Sequence, residues 1–292
     1  MHIFLPVLAG VTACVSSVGI RLFEEKVQKH QRDLQAFQSL YVLLCGLVFL
    51  VLSGFRFPTT VRGLLLTVAF AVCLAVSTIG TATSYLCGPM SLSSVISSCS
   101  VVLPILFGCL VYDEQLTVMH IIGTALLLAT FVLTGSGSGE GKQEITLKWI
   151  LMVMLSFLGN GFGAVVLAVY ARLPEAGSNN GFMAISFFVS ALLLVVYLCF
   201  TGRGEGRSKE PVRLSMPFFW TAGLSALGCF GTNLLIIYLS GVMPASLLHP
   251  VYNSASGILV TLASCLLFRE RMDRKKALIL LLGICAVVFL NL

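Results

Sequence analysis

The polar residues best placed for chemistry lie in a long apolar stretch near the end of the chain. They are His249, Tyr252, Asn253 and Ser256. Their spacing of i, i+3, i+4 and i+7 places all four on one face of a helix. Pro250 lacks a backbone N–H, so a carbonyl oxygen one turn earlier loses its helical donor. This face can bind a polar solute, and an imidazole titrates near neutral pH. The alternative is a histidine and an asparagine that bond to neighbouring helices.

Other polar side chains inside apolar runs are candidates for the same site. Small hydroxyl residues also let helices approach closely, and GxxxG spacing is first a helix-contact signal, so packing is the competing interpretation for each of them. The further candidates for solute binding are Ser93 and Ser97, Thr81 and Tyr85, Asn160 between two glycines, and Asn233.

Charged side chains are absent from the middle of the predicted spans. A charge at the centre of a membrane helix costs about 2.5–3.5 kcal/mol, so charges there would have indicated a coupling site. Their absence argues against an antiporter built on a membrane carboxylate. The sequence also lacks HExxH, GxSxG and CxxC, and its ten cysteines fall in or beside apolar runs. We therefore predict no enzymatic activity, no metal and no cofactor.

The composition is that of an integral membrane protein. The chain has 292 residues, of which 58% are hydrophobic and 10% charged, and its mean hydropathy is +1.00. Soluble domains average about 25% charged residues. The apolar runs are continuous rather than alternating, which predicts helices instead of a β-barrel. The net charge of +6 falls in short loops, so we interpret it as a determinant of topology and predict no nucleic-acid partner.

Ten membrane spans are predicted, and the fold class is an all-α membrane protein. The predicted spans are 3–20, 34–53, 61–84, 88–111, 116–134, 147–171, 180–200, 216–239, 243–267 and 273–291.

The chain repeats one pattern in its two halves. An apolar run rich in small residues ends in a short charged turn, at Asp113-Glu114 and again at Arg269-Glu270-Arg271, and another apolar run follows at once. Two halves are therefore predicted, 1–134 and 147–292, joined by a glycine-rich linker at 135–146. Because each half has an odd number of spans, the halves lie inverted in the membrane. Glu114 and Glu270 are predicted to cap the helix that follows each of them.

Lys and Arg are distributed unequally between the two sides of the membrane. Of the 18 basic residues, 15 fall on the side of loops 21–33, 135–146, 201–215 and 268–276, with Lys148 counted there, and the other three are Arg56, Arg62 and Arg172. The positive-inside rule then places both termini outside.

The Tyr112-Asp113-Glu114-Gln115-Leu116-Thr117 turn, followed by Gly123, resembles the Gly-Glu-x-Leu-Thr turn of the drug/metabolite transporter superfamily, in particular its EamA-like ten-span carriers. Asp113 stands where that family usually has glycine, and the second turn keeps only Glu270. In architecture the resemblance covers the whole chain. It implies a central cavity lined by the first, third, fourth, sixth, eighth and ninth spans, and termini in the cytoplasm, opposite to the charge distribution.

These observations predict a secondary carrier of a small polar or amphipathic metabolite in a bacterial-type inner membrane. Its partners would be that metabolite and the lipid bilayer, and it would be a monomer or a homodimer. Proton coupling through His249 is a hypothesis based on the lack of other titratable groups in mid-span. The alternatives are a flippase for a lipid-linked substrate and a non-transporting membrane sensor or scaffold.

Overall fold

The computed structural model describes residues 4–27, 31–88, 90–115, 117–135, 146–173, 177–201, 215–267 and 274–290, and every regular element among them is a helix. The helices are α1 (Phe4–Lys26), α2 (Gln31–Ser53), α3 (Val61–Cys87), α4 (Met90–Ser98), α5 (Val102–Tyr112), α6 (Val118–Gly135), α7 (Leu147–Ala171), α8 (Asn179–Thr201), α9 (Met216–Ser240), α10 (Ala245–Leu267) and α11 (Arg274–Leu290).

Eight stretches of helix in the described part of the chain are long and apolar enough to cross a membrane. Two apolar helical segments are shorter, Val118–Leu133 and Ala277–Leu290, and they coincide with the predicted fifth and tenth spans. Most of the predicted linker at 135–146 lies outside the described residues. The structure therefore shows an all-helical protein with the helices of an integral membrane protein.

The predicted span 88–111 is not one continuous helix. A 3-10 turn at Cys99–Val101 separates α4 from α5. Pro104, in the first turn of α5, has no N–H to donate to the carbonyl of Ser100, and its ring would clash with that carbonyl in a regular α-helix. The first predicted loop is also shorter than expected, because α1 continues to Lys26 and α2 begins at Gln31.

The helices pack in pairs that join the two halves of the sequence. The most extensive contacts are between α3 and α7, between α1 and α9, between α2 and α8, and between α6 and α11. Glycines allow the backbones to come close in these pairs: a Cβ added at Gly80 would lie 2.7 Å from the Ser156 nitrogen, and one added at Gly159 would lie 2.8 Å from the Ser77 nitrogen. The α3–α7 contact is therefore built on backbone-to-backbone approach.

This close approach predicts a position-specific effect of adding one methyl group. Gly80→Ala is expected to lower the free energy of unfolding by about 1–3 kcal/mol, as overpacking of a tight contact does. Gly223 of α9 has nothing within 4 Å of an added Cβ, so Gly223→Ala should be neutral or stabilising by up to about 1 kcal/mol. Thermal unfolding of both variants in detergent checks this, and equal melting temperatures would contradict the tight contact.

Aromatic side chains fill the interior at one end of the bundle. Phe23 of α1 stacks on Phe37 of α2 with ring centroids 4.0 Å apart, and Phe218 of α9 meets both rings edge-on. All three side chains are buried. This cluster holds the end of α1 against the starts of α2 and α9.

Candidate functional site

A cavity of about 420 Å³ lies inside the bundle. Its walls come from α3, from the α4–α5 segment, and from α7, α9 and α10. The family resemblance implied that the first span also lines the cavity, but no described residue of α1 does so. The polar lining residues are Ser77, Thr81, Tyr85, Ser97, Ser98, Ser100, Asn160, Thr232, Asn233, His249, Tyr252 and Asn253. Cavities of 300–1,000 Å³ are typical of small-molecule sites.

Most of the predicted binding residues meet in this cavity, although they come from five separate stretches of sequence. Those on its wall are Thr81, Tyr85, Ser97, Asn160, Asn233, His249, Tyr252 and Asn253. That these residues bind a solute stays a prediction, but the structure places their side chains around one common space.

Ser93 and Ser256 are not part of the cavity wall. The Trp149 indole Nε1–H donates a 2.8 Å hydrogen bond to the Ser93 hydroxyl, which is fully buried between α4 and α7. Ser256 lies where α10 touches α1, with its backbone nitrogen 2.9 Å from the position of a Cβ added at Gly10. Ser93 is covered by α7, whereas Ser256 is partly exposed but does not line the cavity.

His249 is the only histidine of the described cavity wall. Its side chain is 6% exposed, and its Nε2 atom is buried with no hydrogen-bond partner in the described part of the chain. A buried polar atom without a partner is rare and costly in a folded protein. The site therefore has one ring nitrogen free for a solute or a proton.

Two asparagines present their side chains to the cavity in the same way. Asn233 Nδ2 donates to the Cys229 carbonyl at 2.8 Å, and Asn253 Nδ2 donates to the His249 carbonyl at 2.9 Å. Because a carbonyl only accepts, the amide nitrogen has to face it, and this fixes the orientation of each amide. Both asparagines keep the Oδ1 acceptor for another partner; Asn253 also keeps one N–H, whereas Asn233 Nδ2 also lies 3.4 Å from Cys229 Sγ.

A chain of hydroxyl groups links the helices beside the cavity. Ser156 of α7 lies 2.6 Å from Thr81 of α3 and 2.6 Å from Ser97 of α4. Sequence reasoning did not select Ser156. Its position three residues before Gly159 places it on the small-residue face of α7, and that spacing was the signal that could have identified it.

One end of the bundle carries an ion pair that joins both halves of the chain. Arg172, just after α7, donates from Nη2 to Glu114 Oε1 at 2.7 Å and to the Met243 carbonyl at 3.1 Å. Its Nε–H donates to the Ser240 carbonyl at 3.3 Å, and its guanidinium lies 4.0 Å from the centroid of the Tyr112 ring. We call these contacts the Glu114–Arg172 network. In the sequence, Arg172 is only one of the three basic residues on its side of the membrane.

Glu114 caps a different helix from the one predicted. Its two carboxylate oxygens accept hydrogen bonds from the backbone N–H groups of Ala245 and Ser246 at 3.1 and 3.0 Å, which caps α10 rather than α6. The left-handed backbone of Asp113, with φ of 50°, turns Glu114 towards the second half. Thr117 instead accepts from the His120 N–H at the start of α6. Glu270 lies outside the described residues.

The hydrogen bonds to Glu114 stabilise its charged form. Burial alone would raise the pKa of this carboxyl group, but the hydrogen bonds donated by Ser246, Arg172 and Ala245 outweigh burial and hold the pKa below its usual value. The carboxylate therefore stays ionised throughout the neutral pH range, and the network keeps its charge pairing.

The network lies just beyond one end of the cavity. Leu167, Ile236 and His249 line the cavity about one helical turn from the ends of α7 and α9 and from the start of α10, where the network is formed. At the other end, Tyr85 lines the cavity close to the last residue of α3. We call the end beside the Glu114–Arg172 network the closed end of the cavity. From there the cavity extends along α3 towards the other end.

Comparison with known proteins supports the fold alone. No family model matches the sequence, and no curated protein matches it. A solved structure described only as "Crystal structure of protein" is similar over 100% of this chain and 98% of its own, with a TM-score of 0.75 and 13% sequence identity. At that identity the likeness concerns the arrangement of the helices and not the activity.

Proposed function

We propose that this protein is a secondary carrier that moves a small polar or amphipathic metabolite across a membrane by alternating access. The observation that carries the proposal is the polar cavity enclosed by long apolar helices. Polar groups at membrane depth are expensive and line solute pathways more often than they face lipid. The Glu turn at Asp113-Glu114, which resembles that of the drug/metabolite transporter superfamily, supports the same assignment.

The contacts between helices support an inverted-repeat arrangement of ten spans, with α4 and α5 together forming the fourth. When each helix is replaced by its counterpart in the other half, the α3–α7 contact becomes the α9–α1 contact. Both contacts are among the most extensive in the described part of the chain. The α1–α10 contact likewise becomes the contact of α7 with α4 and α5, while α2–α8 and α6–α11 map onto themselves. Carriers built from such halves expose a central site by rocking one half against the other.

The Glu114–Arg172 network supplies the closed end in this mechanism. It fastens the turn after α5 to the ends of α7 and α9 and to the start of α10. A solute can leave through that end only when these helices separate, which breaks the ion pair. On the positive-inside rule, the basic loops of the opposite end face the cytoplasm, so the closed end faces outside.

The test is whether the cavity is reached alternately from both sides of a membrane. A cysteine-free variant carrying Asn253→Cys is reconstituted in liposomes, and a membrane-impermeant maleimide is added to either face. Labelling from both faces is expected for a carrier. The matched control is Ser254→Cys on the same helix, which is 2% exposed and does not line the cavity, and it should react slowly from both faces. Labelling of Asn253→Cys from one face under every condition would contradict alternating access and favour a sensor or scaffold.

A further inference from the structure

We infer that the cavity selects an uncharged solute that presents several O–H or N–H donors, of the polyol or nucleoside class. The inference rests on the proposed transport function and specifies the substrate of the same site. It follows from two features of the wall: the absence of charge, and the direction of its hydrogen bonds.

The described residues of the cavity wall include no Asp, Glu, Lys or Arg. The closest charged groups at the closed end, Glu114 and Arg172, are paired with each other at 2.7 Å. A charged solute in the cavity would therefore leave water with no oppositely charged wall residue to pair with, since Glu24, which acts electrostatically on Tyr85 at the other end, lies outside the wall. Desolvation of an unpaired ion costs several kcal/mol even after relaxation, so the wall discriminates against ions of either sign.

Three wall hydroxyls donate their hydrogen atoms to backbone carbonyls within the protein. Ser77 donates to the Leu74 carbonyl at 3.0 Å, Thr81 donates to the Ser77 carbonyl at 2.8 Å, and Thr232 donates to the Gly228 carbonyl at 2.9 Å. A hydroxyl has one hydrogen and two lone pairs. Each of these side chains is therefore left with acceptor capacity only.

The Thr81–Ser156 and Ser156–Ser97 contacts allow either hydroxyl to donate. In the arrangement where the Thr81 hydrogen stays on the Ser77 carbonyl, Ser156 donates to Thr81 and Ser97 donates to Ser156. Ser97 also lines the cavity and is likewise left with lone pairs. Together with the Oδ1 atoms of Asn233 and Asn253, these four hydroxyls give the wall six acceptor groups for the O–H or N–H donors of a solute.

Matched sets of solutes test this inference. Thermal stability of the detergent-purified protein is measured with glucose, glucuronate and glucosamine, and with uridine and uridine 5′-monophosphate. We expect a neutral member to raise the melting temperature and its charged counterparts to bind at least tenfold more weakly. Tighter binding of a charged member, or no stabilisation by any neutral member, would overturn the inference. If only a lipid-linked sugar raised the melting temperature, the inference would be wrong and a flippase for a lipid-linked substrate would be favoured.

A charge introduced into the wall gives a second test. Asn253→Asp should improve binding of glucosamine relative to glucose by about tenfold, because the carboxylate pairs with the ammonium. Asn233→Asp is the equivalent change on α9 and serves if Asn253→Asp does not fold. The matched control is Asn180→Asp. Asn180 lies at the start of α8, away from the cavity, and its side chain donates to the Leu52 carbonyl. An unchanged ratio in both cavity variants would overturn the inference.

The two proposals fail separately. Exchange of radiolabelled solute across liposomes reports transport, whereas the melting temperature reports binding. A neutral solute that binds without exchange contradicts the carrier and leaves the selectivity in place. A charged solute that exchanges contradicts the selectivity and leaves the carrier in place.

Discussion

Glu114→Ala is expected to open the closed end of the cavity and to destabilise the protein. The change removes the partner of Arg172 and the cap of α10 together. Loss of a helix cap costs about 0.5–2 kcal/mol, and a partly buried guanidinium loses its charged partner as well. Because side-chain exposures are 23% for Arg172 and 9% for Glu114, the pair is less costly to break than a fully buried one. We expect a total of about 2–4 kcal/mol.

A double-mutant cycle separates the ion pair from the cap. Glu114→Ala, Arg172→Ala and the double variant are compared by thermal unfolding, and we expect a coupling energy of about 1–3 kcal/mol. Labelling of Asn253→Cys from the Arg172 face should rise several-fold in each single variant, which a purely structural cap would not produce. The control is Glu25→Gln, which removes the 3.7 Å pair between the half-exposed Glu25 and Arg21. Exposed pairs contribute about 0–1 kcal/mol.

Two results would contradict the closing role of the network. Coupling below about 0.5 kcal/mol would mean that the two residues act independently. Unchanged labelling together with lower stability would mean that the network holds the fold without closing the cavity. Either result would mean that another structural feature closes this end of the cavity.

The contribution of the Glu114–Arg172 network to stability is expected to be independent of pH in the neutral range. Since the folded-state pKa of Glu114 is lowered, its stabilising contribution is fully present above the ordinary value of 4.5 and is lost as pH falls through the lowered value. The difference in melting temperature between wild type and Glu114→Gln should therefore be constant from about pH 6 to 8. A pH dependence of transport in that range must come from another group.

His249→Gln is expected to remove the pH dependence of transport. Among the described wall residues, His249 has the only side chain that ordinarily titrates near neutral pH. Its Nε2 is buried without a partner, so uptake of a proton there changes the charge of the cavity directly. Tyr252, another residue of the cavity wall, is its neighbour one turn along α10. The histidine thus lies between the binding face and the closing network.

The measurement is solute exchange in liposomes between about pH 5.5 and 7.5. We expect the His249→Gln rate to depend less on pH than the wild-type rate, because only the wild type can take up a proton at this position. Glutamine keeps a polar amide of similar reach but carries no titratable proton. The matched control is His120→Gln, near the start of α6 and away from the cavity wall. Full retention of pH dependence by His249→Gln would show that protons are not coupled through this residue.

The sequence by itself determined the class of protein and much of the cavity wall. Runs of about twenty apolar residues can satisfy their backbone groups in a membrane only as helices, and the structure has such helices. Periodicity along one helix also grouped His249, Tyr252 and Asn253 correctly, since a helical face is a local property of the chain.

The tertiary structure decided which faces meet. Ser93 and Ser256 have suitable periodicity, but α7 covers Ser93 and the backbone of Ser256 packs against α1 outside the cavity wall. Periodicity contains no information about such neighbours. Only the folded chain brings Arg172 to Glu114 and directs Glu114 to α10 instead of α6. Residues 58 positions apart acquire an ion pair through helix packing, because the free energy of that contact depends on the ends of four helices meeting at one place. Local sequence determines which helices form, and long-range packing determines what they enclose and what closes it.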